Sequence, residues 1–140
     1  MTPIAPIVQA FFTDYLVTQR RLSPNTVRAY RDTWKLLLQY VADQTGTPVH
    51  RLTVEQLDHD QIARFLTHLE ATRGNTVSTR NARLAAIHAW CAYAARTLPN
   101  HVADLARINA IPVKKHTRPD LTWLTGHETQ ALLDTIPTTT

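Results

Sequence analysis

The chain has 140 residues, 44% of them apolar, with a formal net charge of +4, three glycines and one cysteine. That composition describes one folded domain with at most a tail, not a disordered chain, and the lone Cys91 excludes an internal disulfide. No run approaches the roughly 20 apolar residues of a membrane span, and the amino terminus lacks the basic-then-apolar order of a secretory signal, so a cytoplasmic protein without a membrane partner is expected.

The predicted elements are all helical. Ile4, Ile7, Val8, Phe11, Phe12, Tyr15 and Leu16 follow the helical period and outline a first helix that ends at Arg20-Arg21. Ser23-Pro24 then starts a second: Ser23 can cap free backbone N–H groups, and Pro24 suits the first helical position. Val27, Tyr30, Trp34, Leu37, Leu38 and Val41 form its apolar face, and Gly46 and Pro48 end it. Asp58 with Gln61 resembles a capping box for a third helix, with Ile62, Phe65, Leu66 and Leu69 facing the core and Gly74 as its stop. A fourth helix starts between Thr76 and Ser78 and runs to about Leu98, where Pro99 breaks it. A short helix follows from Val102 to Ile108. From Ile111 to about Leu124, Pro112, Lys114, Lys115, Arg118 and Pro119 read as an extended basic linker. Thr125 and Glu128 then open a last amphipathic helix with little to pack on. The expected division is therefore a helical domain over 1–110, a linker over 111–124 and the start of a further domain over 125–140.

The positive charge is clustered. Residues 20–35 hold Arg20, Arg21, Arg28, Arg31 and Lys35 against Asp32; residues 73–83 hold Arg73, Arg80 and Arg83; residues 107–118 hold Arg107, Lys114, Lys115 and Arg118. Residues 36–72 are acidic on balance. Such blocks are either solvated helix faces or the footprint of a polyanion. Two segments favour the polyanion. In the first, Arg28, Arg31 and Lys35 share one face of the second helix, whose start offers Ser23, Asn25, Thr26 and free N–H groups suited to a phosphate. In the second, Ser78, Thr79, Arg80, Asn81 and Arg83 crowd the start of the fourth helix. Asn25 and Asn81 are the side chains placed to try base edges.

Active-site patterns are missing. The histidines show no zinc-binding spacing, the glycines make no phosphate-cradling loop, and Cys91 lies on an apolar face as a core residue. No metal, cofactor or catalytic residue is expected, which weighs against a small stand-alone enzyme.

The segments SPNTVRAYRDTWKLLLQYV, IARFLTHL, STRNARLAAIHAWCAYA and LTGHETQALLDTI together resemble the amino-terminal core-binding domain of tyrosine recombinases, the phage integrases and their relatives. The resemblance runs from about Ile4 to Ile136. It implies an all-α, SAM-like bundle of four main helices forming half of a clamp on double-stranded DNA, with the helices starting at Ser23 and near Ser78 against the major groove and Lys114, Lys115 and Arg118 in a linker along the duplex. It also implies contacts with other recombinase subunits assembled on DNA, so a helical protein-interaction module is the alternative reading. The family's catalytic arginines, lysine, histidines and tyrosine nucleophile belong downstream of the last helix, so this chain is not itself expected to cut or join DNA.

Overall fold

The computed structural model describes residues 1–115 other than 73 and 75. Helix α1 (Ala5–Ala10) runs directly into a π-helical stretch, Phe11–Gln19; α2 (Pro24–Thr45), α3 (His59–Thr72), α4 (Val77–Thr97) and α5 (Val102–Asn109) follow, with single 3-10 turns at Val49–Arg51, Val54–Gln56 and Pro99–His101. Extended pairing among the described residues is confined to an isolated antiparallel bridge between Pro3 and Thr53. The all-α expectation holds. The helix expected from Thr125 and the linker beyond Lys115 lie outside the described residues.

Most boundaries follow from single side chains. Ser23 caps α2, Pro24 occupies its first turn, and Gly46 ends it in the left-handed conformation (φ 68°), which costs glycine nothing for want of a Cβ. Asp58 Oδ1 accepts the Gln61 backbone N–H at 2.9 Å and so caps α3. The reciprocal half of the expected box is not made: Gln61 Oε1 is buried with no partner among the described residues. A reciprocal contact of this kind occurs earlier, where the Thr53 N–H donates to Gln56 Oε1 at 3.0 Å.

The first helix departs from the α-helix that its apolar period suggests. Over Phe11–Gln19 the winding widens to π, so residues five apart come onto one face. Phe11 and Leu16, spaced by five, are both fully buried, while Phe12 and Tyr15 remain half-exposed. The segment closes when the Arg20 N–H reaches Tyr15 O at 2.8 Å and the Leu22 N–H reaches Leu16 O at 3.1 Å, with Arg21 between them in left-handed backbone (φ 52°).

Helix α4 is the centre of the bundle and packs on α2, α3 and α5. Its Leu84, Ile87, Trp90, Cys91 and Ala94 are buried, each large apolar side chain contributing about 1.5–3 kcal/mol by leaving water. Trp90 lies 4.9 Å, centroid to centroid, from Trp34 of α2, whose indole N–H donates to Ala86 O at 3.2 Å. The first helix joins this core through Phe11, Tyr15 and Tyr93, whose ring centroids lie 4.9–5.9 Å apart. The core thereby fixes α2 against α4 and sets the relation of their amino-terminal ends.

Candidate nucleic-acid interface

The starts of α2 and α4 are built alike. Ser23 Oγ accepts the Thr26 backbone N–H at 3.2 Å, and its hydroxyl donates to Thr26 Oγ1 at 3.0 Å. Thr76 Oγ1 accepts the Thr79 N–H at 3.1 Å and donates to Thr79 Oγ1 at 3.2 Å. Capping of α4 therefore falls to Thr76. Ser78, the other hydroxyl at that helix start, is exposed instead.

Between the two helices lies an open groove of about 330 Å³, with Tyr30, Asp32 and Thr33 on the α2 wall and Ser78, Thr79 and Arg83 on the α4 wall. Arg83 Nη1 donates to Thr33 Oγ1 at 3.2 Å, and Thr33 in turn donates to Ala29 O at 3.1 Å. This brace spans the helices and holds the guanidinium in the wall. Its Nε is buried with no partner among the described residues.

Arg28, Arg31 and Lys35 are exposed, as their spacing implies. Arg28 Nη1 donates to Asn25 Oδ1 at 3.0 Å, which orients the guanidinium and occupies the amide oxygen. Arg28 and Arg31 line a second recess, of about 270 Å³, with Val17, Leu22 and Val27. The α2 cations thus do not line the groove: Arg28 and Arg31 belong to a separate recess, and Lys35 lines neither.

Three of the residues expected to face DNA are engaged within the fold. Arg80, expected among the surface cations, is 7% exposed. Its Nη1 donates to Pro112 O at 3.1 Å and to Asn81 Oδ1 at 3.2 Å, and its Nε lies 3.7 Å from Glu70 Oε1. A guanidinium can be buried there because a carboxylate and a carbonyl meet it. Asn81, expected to try a base edge, has its amide engaged by main chain: Nδ2 donates to Lys114 O at 2.9 Å and Oδ1 accepts from the Lys114 N–H at 3.0 Å. Lys114, expected as a free linker cation, places Nζ 2.9 Å and 3.0 Å from the two Glu70 oxygens. Lys115 is exposed, and Arg118 lies outside the described residues. Glu70, Thr33 and the Pro112 carbonyl carried no signal in the sequence, since their roles depend on segments distant along the chain. Thr76 had a readable one, a hydroxyl just before a helix.

Other reactive groups are subdued. Burial pushes the Cys91 thiol up to about 12, leaving almost no thiolate at neutral pH. Burial also pulls His88 below the usual imidazole range, against the opposing pull of the Ile108 and Ile111 backbone. Arg96, 5.2 Å from the Tyr15 ring centroid, lowers the Tyr15 hydroxyl, with Arg20 adding to the effect. Among the described residues, no group of histidine, cysteine and acidic side chains could hold a metal ion, and no described helix is long and apolar enough to cross a membrane.

The family model for the phage integrase N-terminal SAM-like domain matches residues 10–98, which covers α2, α3 and α4 whole. The chain belongs to this family. Two Sinorhizobium fredii proteins that carry the provisional name integrase/recombinase are similar to this SAM-like domain. The y4rC protein is 42% identical over 130 residues, 93% of this chain and 39% of its own length. The y4rD protein is 35% identical over 131 residues, 94% of this chain and 47% of its own. The chain thus spans less than half the length of either relative. No solved structure matches it. The all-α bundle is the SAM-like architecture that the resemblance implied, and the helices expected to face DNA are the two that border the groove.

Proposed function

We propose that this SAM-like domain binds duplex DNA for a site-specific recombinase, gripping the backbone beside the crossover site while strand cutting and joining are done by a catalytic domain of the parent protein. The observation that carries this reading is the meeting of α2 with the hydroxyl-bearing start of α4 along one groove, with Arg83 braced in its wall, while Arg28, Arg31 and Lys35 are exposed on α2 outside it. Hydroxyls, first-turn N–H groups and guanidinium forks are the usual partners of phosphate oxygens. Asp32 in the groove disfavours a phosphate beside it, which assigns the backbone contacts to the exposed cations of α2 and to the hydroxyls at the two helix starts, Ser23, Thr26, Ser78 and Thr79. Lys115 is a further exposed cation, and Arg118, three residues on in the sequence, is a proposed contact of the same kind. No side chain here is assigned a catalytic step: Tyr15, Tyr30, Tyr40 and Tyr93 all pack against the core. Contacts with other subunits on the DNA belong to the same reading.

The test is titration of a labelled random-sequence duplex, by anisotropy, over a range of salt. Each phosphate released removes about 0.9 from the slope of log affinity against log salt. Replacing Arg28, Arg31 and Lys35 together by alanine is expected to weaken binding about tenfold or more at moderate salt and to flatten that slope by roughly 2–3. Unchanged affinity and slope would overturn the assignment of this face.

A further inference from the structure

Arg80, Asn81 and Lys114 were expected to share one task, yet the structure joins them to each other. Asn81 pairs with both main-chain groups of a single residue, Lys114, through one donated and one accepted bond. A carboxamide is the side-chain group that can do this, since it offers a donor and an acceptor side by side in the pattern of an extended strand. One residue earlier in α4, Arg80 takes the Pro112 carbonyl. Ile111, at the root of the same stretch, is 6% exposed and belongs to the core. Glu70 of α3 closes the arrangement from the other side, meeting both Arg80 and Lys114. Residues 111–114 are therefore docked on the bundle at three successive levels, by an apolar side chain, a carbonyl and a full peptide clasp.

We propose that this clasp forms the carboxy-terminal boundary of the SAM-like domain. The domain then ends after Lys114, not before Ile111. Arg80 and Asn81 act as positioning residues for the connector and are withheld from nucleic acid. The components differ in strength. The Lys114–Glu70 ion pair is half-exposed on the lysine side, so water and salt screen it and it adds little. The Asn81 clasp and the buried Arg80 bond hold the main chain itself. The boundary is thus set by backbone capture, with the ion pair as an accessory.

Hydrogen exchange and trypsin cleavage on the full chain, without DNA, separate the two contributions. With Asn81→Ala, the Lys114 amide is expected to exchange roughly tenfold faster, as loss of both clasp bonds exposes it to local opening, and cleavage after Lys114 should speed up in parallel. Glu70→Gln is expected to change Lys114 exchange by no more than about twofold. Far-UV circular dichroism checks that each variant is folded. Should Asn81→Ala lose helix, Asn81→Asp, which loses the donated bond but keeps the acceptor, takes its place with an intermediate rise expected. Wild-type exchange at Lys114 in a folded Asn81 variant would overturn the proposal, as would release of the connector by Glu70→Gln alone. Because no DNA is present, failure here leaves the DNA-binding reading standing, and failure of DNA binding leaves the clasp untouched.

Discussion

Trp34 and Trp90 pack against each other at the heart of the bundle, but their indole N–H groups fare differently. Trp34 donates to Ala86 O, whereas Trp90 Nε1 is buried with no partner among the described residues. A buried donor that makes its bond contributes about 1 kcal/mol, while one that does not carries its desolvation penalty into the folded state. Both Trp→Phe changes remove similar apolar volume, so the difference between them isolates the polar contribution. Trp34→Phe is expected to cost about 1 kcal/mol more than Trp90→Phe in urea-unfolding free energy; equal costs would show that the Trp34 bond contributes nothing net.

At the scale of the helix, the two matched caps allow a comparison within one element. Thr76→Ala removes the oxygen that accepts the Thr79 N–H and is expected to destabilise the domain by about 1 kcal/mol. Ser78→Ala, two residues on, removes a hydroxyl that holds no backbone group and should stay within about 0.5 kcal/mol of the parent. Thermal melts of the two variants decide it, and the reverse order would return the cap to Ser78. What could be read from sequence follows the same logic. The limits of α2 and α4 were legible because each rests on one or two local residues, Ser23, Pro24, Gly46 and Pro99. The π winding of Phe11–Gln19 was not, because Phe11, Phe12, Tyr15 and Leu16 make an apolar stripe under either period, and only packing against Tyr93 and its neighbours selects which of them go inside. The groove was half legible: its hydroxyls and Arg83 lie in recognisable segments, while its separation from the Arg28 and Arg31 recess is set by how α2 packs.

Across the whole molecule, charge divides into cations engaged within the fold and cations left facing solvent, a division that clustering along the chain could not show. Arg80 sits in the middle of a basic block, yet its partners Glu70 and Pro112 come from segments on either side of α4. Removing one member of a buried charge network typically costs about 3 kcal/mol, so Arg80→Ala is expected to lower the unfolding free energy by roughly that amount. Arg31→Ala, on the exposed stripe, should change stability by less than about 0.5 kcal/mol and weaken duplex binding instead. Measuring urea unfolding and DNA titration on both variants checks the division: an Arg80→Ala protein as stable as its parent would show that the network contributes nothing to holding the fold.

The amino terminus offers a last consequence. Thr2 O accepts the Val54 N–H at 2.8 Å, the Ile4 N–H reaches Leu52 O at 3.0 Å, and the Thr2 hydroxyl meets Glu55 and His101, 53 and 99 residues further on. Residues 2–4 are thus secured by residues about 50 to 100 positions further along the chain. Contacts of such long sequence separation form slowly, since a large loop must close before they contribute. The aromatic face of the first helix, which packs on Tyr93, is therefore covered only once α4 is in place.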